Sequence, residues 1–183
     1  MPRLHPAPPL TTSDWINTPR PLALDDFHGR VLLIEAFQML CPGCVLQGLP
    51  QAQRVRAAFP TSDLAVIGLH TVFEHHAAQG TRVALEAFAH EYRLTFPIGI
   101  DEQSLSGGIP RTMAAYAMQG TPTLILIDRQ GHKRMQRFGH IDDLALGAAI
   151  QTLIGERADD TAPVADPDAI ACGPEGCRLP VTA

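Results

Sequence analysis

The sequence predicts an α/β domain with a central mixed sheet flanked by helices. Three observations carry that expectation. Short runs rich in branched apolar residues stand at Val31–Phe37, 64–69 and 124–128. Runs this short and this uniformly apolar read as strands buried on both faces. Segments of helical length separate them. A close cysteine pair falls just after the first run, where a strand-to-helix junction is expected.

Taken in order, residues 1–21 contain six prolines and read as an irregular segment that Trp15 pins to the domain. After the first strand, 45–59 reads as a helix with Leu46, Leu49, Val55 and Phe59 on its apolar face, kinked at Pro50. A second strand follows at 64–69. Thr81 is the expected N-cap of a helix running to Tyr92, with Val83, Leu85, Phe88, Ala89 and Tyr92 turned inward. A short strand spans 96–100, and 104–108 is a turn. Pro110 opens a short helix. Gly120-Thr121-Pro122-Thr123 precedes the strand at 124–128, Arg129-Gln130-Gly131 turns the chain into a hairpin with 133–138, and 142–154 is the last helix.

From Glu156 the chain carries six acids against two arginines and several prolines, the composition of a flexible tail. The expected organisation is an irregular segment over 1–21, one domain over 22–155 and a cysteine-containing tail over 156–183.

Composition excludes some classes of function. Of the 183 residues, 45% are hydrophobic, enough for a sizeable core. The net charge of −5 is dispersed and includes no basic run, so nucleic acid is not an expected partner. No apolar stretch approaches the roughly 18–20 residues that span a bilayer. The first residues lack the apolar core of a secretory signal, which points to a cytoplasmic protein, or to a periplasmic one had a leader been trimmed. In a reducing compartment, close cysteine pairs serve catalysis, redox sensing or metals more often than architecture.

Cys41-Pro42-Gly43-Cys44 is the chemical centre of the sequence. A helix N-terminus offers unpaired N–H groups and partial positive charge, which favour a thiolate on Cys41. Cys44, about one turn further on, is placed to resolve a mixed disulfide. Half of a zinc site is the alternative, but no second ligand pair lies near in the sequence. Glu35 lies inside an apolar strand, where burial raises a carboxyl pKa. It is a candidate to take the Cys44 proton, the alternative being a wet edge or an arginine partner. Pro122, flanked by Gly120 and Thr123, reads as a tight bend with a cis bond or as an ordinary turn proline. Beside the cysteines it would leave the Thr121 backbone free for an extended substrate.

The tail pair Cys172/Cys177 encloses two glycines and a proline, which suits a tight local disulfide. The 17 residues from Glu156 to Cys172 span on the order of 23 Å as a flexible chain, enough to reach the Cys41 face. The pair is therefore a candidate electron shuttle, with a passive hairpin disulfide or a metal-scavenging tail as the alternative. His70, His75 and His76 cluster after the second strand and read as an exposed loop rather than a metal site.

These pieces together resemble the thioredoxin superfamily, and within it the TlpA/ResA-like redoxin branch. The resemblance covers residues 22 to 155. It rests on the CxxC after the first strand, the acid at Glu35, the Thr121-Pro122 step and the Leu126-Ile127-Asp128-Arg129-Gln130-Gly131 turn. The long interval from Cys41 to Pro122 fits a strand–helix insertion around 70–100.

The resemblance implies a thiol–disulfide oxidoreductase with antioxidant activity and no cofactor. It implies Cys41 as nucleophile, Cys44 as resolving thiol, and Thr121, Pro122, Pro42 and Gly43 at the substrate contact. The implied partners are protein or small-molecule disulfides and thiols, with a reductant such as thioredoxin reductase or the glutathione system; neither nucleic acid nor membrane is among them. Two features depart from the family pattern. Leu40 stands where tryptophan is usual, and Pro50 falls one position late. A peroxiredoxin-type peroxidase is the rival on the same fold, with Gln38 at the position where that family carries Thr or Ser. A non-catalytic redox-sensing module is the rival of another class.

Overall fold

The computed structural model describes residues 4–105 and 107–156, and the backbone of 172–173 and 176–177. Its framework is a six-stranded sheet in the order β1-β4-β3-β2-β5-β6, with β1 Thr12–Ile16, β2 Val31–Phe37, β3 Leu64–His70, β4 Ile98–Asp101, β5 Thr123–Ile127 and β6 Lys133–Phe138. Strands β2, β3 and β4 are mutually parallel, while β1 and β5 run antiparallel to their neighbours and β6 antiparallel to β5. The mixed sheet and the α/β class follow the sequence expectation. Between β3 and β5 lie α2 His76–Gln79, α3 Arg82–Glu91, β4 and α4 Arg111–Ala115, which hold the expected insertion.

Side chains alternate across the pleat and divide the core in two. On one face Val31, Leu33, Phe37 and Val66 pack under α1 Leu49–Ala58, α3 and α5 Asp143–Gly155 through Leu49, Val55, Leu85, Leu146 and Ile150. On the other, Leu32, Ile34, Ile67 and Ile125 meet Trp15, Phe27, Met113 and Tyr116. Local chemistry sets the helix ends. Thr81 caps α3 through the Ala84 N–H (3.2 Å), and Asp142 caps α5 through the Leu144 and Ala145 N–H groups (2.9 and 3.2 Å). Asp128 closes the β5–β6 turn by accepting from the Gln130 and His132 N–H groups (3.0 and 2.9 Å), and Gly131 takes the positive φ there.

The structure corrects three expectations. Residues 1–21 are not irregular throughout, because 12–16 forms the edge strand β1. All six prolines lie outside those five residues. Trp15, 4% exposed, packs on Gly99 of β4, where a Cβ would come within 3.1 Å of its ring, and its indole N–H donates to Thr12 Oγ1 (2.8 Å).

The helix after the cysteines does not bury Leu46, which is 76% exposed. A π-turn, Cys44–Gly48, precedes α1, and its extra residue shifts the phase of the face so that Cys44, Gly48 and Leu49 turn inward. Pro50 opens α1 directly after that π-turn. Val83 and Tyr92 of the α3 segment are likewise exposed rather than inward.

The backbone of Cys172–Gly173 pairs with that of Gly176–Cys177 as the antiparallel strands β7 and β8. The remainder of the tail and the side chains of Cys172 and Cys177, with the disulfide and shuttle roles expected of them, lie outside the described residues.

If β1 is integral to the sheet, Trp15→Ala costs about 3–5 kcal/mol, the range for deleting a buried aromatic. Urea denaturation measures it, and a loss below about 1 kcal/mol would show β1 to be dispensable.

Candidate active site

The turn leaving β2 delivers the cysteines. Gln38 through Leu40 bend the chain, and the Cys41 N–H returns to the Gln38 carbonyl (3.3 Å). The Cys41 carbonyl accepts the first helical bond, from the Val45 N–H (3.1 Å). Cys41 thus holds the N-cap position, and its Sγ accepts from the Cys44 N–H at 3.2 Å. A serine or threonine oxygen makes the same contact at an ordinary N-cap. Here a sulfur takes the helix-end N–H, which favours negative charge on it. Both cysteines are free thiols, Cys41 half-buried and Cys44 fully buried.

The second wall is the Thr121-Pro122 step, whose peptide bond is cis. The Thr121 carbonyl oxygen lies 3.4 Å from Cys41 Sγ and accepts from its S–H. The Pro122 ring closes on the CxxC turn, and a Cβ on Gly43 would sit 3.2 Å from Pro122 Cδ. Pro42 is exposed. The structure therefore brings Cys41, Pro42, Gly43, Cys44, Thr121 and Pro122 together.

Glu35 lies beneath them. It is 1% exposed, and its Oε1 has no hydrogen-bond partner among the described residues. Gly48, at the end of the π-turn that Cys44 starts, leaves room for that carboxyl: a Cβ there would collide with Glu35 Oε1 and lie 3.2 Å from Pro122 Cβ. Glu35 therefore occupies neither a wet edge nor an ion pair. Burial pushes its pKa up to about 8. Burial likewise drives the Cys44 thiol far above its ordinary range; its contact with Cys41 adds to the rise, and hydrogen bonds from Gln38 and Thr121 oppose it.

The three histidines do not act as a group. His75 and His76 are exposed as expected, but His70 ends β3 and is 1% exposed rather than in an exposed loop; its Nε2 has no partner among the described residues, and burial lowers its pKa to about 4. Among the described residues no three His, Cys, Asp or Glu side chains gather as metal ligands.

Sequence reasoning missed two features of the site. Phe138 of β6 is half-exposed and covers Gly120, where a Cβ would lie 2.9 Å from the ring, so an aromatic joins the exposed Leu40 in the surroundings of the cysteines. Gln38 and Gln79, both 1% exposed, hydrogen-bond to each other behind the turn. Neither has a motif, and only a contact between distant segments reveals them.

Known proteins share this fold. The crystal structure of a thioredoxin-like superfamily protein is 56% identical, with a TM-score of 0.80 over 83% of this chain and 97% of that one. A thiol-disulfide isomerase from Corynebacterium glutamicum is 42% identical, with a TM-score of 0.78 over 82% and 98% of the two chains. The chain belongs to the thioredoxin superfamily, among thioredoxin-like thiol–disulfide oxidoreductases. Thioredoxin-like protein YneN of Bacillus subtilis is 27% identical over 109 residues, 60% of this chain and only 56% of that protein. No family model matches. No helix among the described residues is long and apolar enough to cross a membrane.

The buried acid gives a pH prediction. Glu35 ionises near 4.5 when unfolded and near 8 when folded, so folding takes up a proton between those values. Its contribution to stability is therefore full below about pH 4.5 and lost as pH rises through 8. Glu35→Gln removes that dependence and gains on the wild type with rising pH, by on the order of a few kcal/mol at pH 8. Denaturation of both proteins at pH 5 and pH 8 measures it, and a constant difference would refute it. His70 contributes a slope of opposite sign, stability rising with pH between about 4 and 6.5, which cancels in the comparison.

Proposed function

We propose that the protein catalyses thiol–disulfide exchange through Cys41 and Cys44. The N-cap contact between Cys41 Sγ and the Cys44 N–H carries this reading, because it stabilises the sulfur that must attack and leave. The Cys41 thiolate attacks one sulfur of a substrate disulfide; that S–S bond breaks, a mixed disulfide forms, and the other substrate sulfur departs as a thiolate. Glu35, ionised in part near pH 8, takes the Cys44 proton. The Cys44 thiolate then attacks Cys41 Sγ, releasing the reduced substrate and leaving a Cys41–Cys44 disulfide. A dithiol reductant resets the pair.

Around this chemistry, the Thr121 backbone and the exposed Leu40 and Pro42 offer an extended, partly apolar contact to a protein or small-molecule disulfide. Thioredoxin reductase or the glutathione system is the class of reductant that fits a cytoplasmic setting. Consumption of peroxide without a disulfide substrate would favour the peroxidase reading instead.

Cys41→Ser abolishes turnover of a disulfide substrate, whereas Cys44→Ser accumulates a mixed disulfide on Cys41, read by mass spectrometry. Full turnover by Cys44→Ser, with no trapped species, would overturn the mechanism. Equilibration in glutathione or dithiothreitol buffers places the couple. A value near or below about −230 mV suits a cytosolic reductant, and one nearer about −150 mV an oxidant or isomerase.

A further inference from the structure

The segment between β3 and α3 reaches back to the turn that carries Cys41. Gln79, the last residue of α2, uses both ends of its amide there. Its Oε1 accepts from the Leu40 N–H (3.1 Å), and its Nε2 donates to Gln38 Oε1 (3.1 Å) and to the Glu74 carbonyl (2.9 Å). Gln38 Oε1 also accepts from the Phe73 N–H (3.2 Å), and Gln38 Nε2 approaches Glu74 Oε1 (3.4 Å).

Gln38 also meets the cysteine turn through its backbone, where its carbonyl accepts from the Cys41 N–H (3.3 Å). Between Gln38 and Cys41 stand only Met39 and Leu40, and the Leu40 N–H is the one Gln79 holds. A glutamine is needed for this set of contacts, since a carboxylate cannot donate and an apolar side chain can do neither. Both amides are buried, so water does not replace them at low cost.

We propose that Gln79, acting through Gln38 and Leu40, is a positioning residue for the Cys41–Cys44 centre, fixing the turn so that Cys41 Sγ stays on the Cys44 N–H. The proposal rests on the exchange reading above. Its consequence is chemical as well as structural. The N–H contact favours the reduced, thiolate-bearing form, so loosening the turn shifts the couple toward the disulfide and makes Cys41 a slower nucleophile.

The test compares Gln79→Ala with Gln51→Ala. Gln51 is another buried glutamine, 3% exposed, which donates to the Ile141 carbonyl (2.8 Å) and Asp143 Oδ1 (2.6 Å) away from the cysteines. Three quantities are read: Tm, the dithiol–disulfide equilibrium against glutathione, and the rate of Cys41 alkylation by iodoacetamide at fixed pH.

Gln79→Ala shifts the equilibrium about fivefold toward the disulfide and slows alkylation by a similar factor, the equivalent of one net hydrogen bond. Gln51→Ala lowers Tm and leaves both redox readouts within about twofold of wild type. Gln79→Met keeps the side-chain length without charge, loses the acceptor and both donors, and matches Gln79→Ala in both redox readouts; it serves if the alanine variant does not fold. Redox readouts of Gln79→Ala and Gln79→Met that match wild type would reduce Gln79 to a stabilising residue and overturn the proposal. If wild-type Cys41 and Cys44 never form a disulfide, the exchange reading fails, and the alkylation rates alone then decide the positioning role.

Discussion

All seven residues of β2, Val31 to Phe37, are buried, with β3 paired on one side and β5 on the other. A central strand of this kind has one exit for its chain, at the carboxyl end of the parallel strands. There the next residues cross from sheet to helix over a crevice between neighbouring elements. The Cys41 turn occupies that exit. Strand β5, antiparallel to β2, begins at the same end, so the Thr121-Pro122 step that leads into it arrives beside the cysteines. The closeness of Cys41 to Thr121 across 80 residues is a consequence of strand register.

The same burial governs the electrostatics. Glu35 pairs in register with Gly68 and Leu124 and forms no ion pair among the described residues, and Cys44 is sealed from solvent at the start of the next element. Desolvation is the leading influence on both, and it holds each in its neutral form over the range where an exposed carboxyl would be charged. Cys41 differs only in being half-exposed and placed at the helix N-cap. Two thiols three residues apart in sequence therefore meet opposite environments, one at a half-exposed helix end and one sealed in the core.

The insertion between β3 and β5 does more than lengthen the chain. It supplies β4, which extends the sheet to β1, and it supplies the 71–80 segment whose glutamine reaches the Leu40 N–H. Asp101 ties the far end of this region together. Its carboxylate, though buried, accepts from the Thr112 and Met113 N–H groups (2.8 and 2.9 Å) and from Thr71 Oγ1 (2.9 Å), linking β4, α4 and the strand end that precedes Gln79. The support behind the cysteines thus belongs to the segment between β3 and β5 rather than to the central strands.

Much of this was legible in one dimension. Apolar runs gave β2, β3 and β5, and the residue types at Thr81 and Asp142 gave two helix starts, because strand burial and capping are local chemistry. The CxxC pair, Glu35 and Pro122 were recognisable from residue type and position relative to those strands. Strand β1 was not, since five residues flanked by prolines gain their order from distant contacts, the antiparallel pairing with β4 and Trp15 packing on Gly99. Leu46 was misplaced because the π-turn changes the helical phase without altering composition.

The sequence by itself determined the fold class, the order of the main strands and helices from β2 onward, and the place of the Cys41/Cys44 pair at the end of β2. Only the tertiary structure decided that Thr121 faces Cys41, that Glu35 lies under Gly48, and that Gln79 holds the Cys41 turn. Each of these is a contact between segments far apart in the chain, set by sheet register and packing rather than by any local preference.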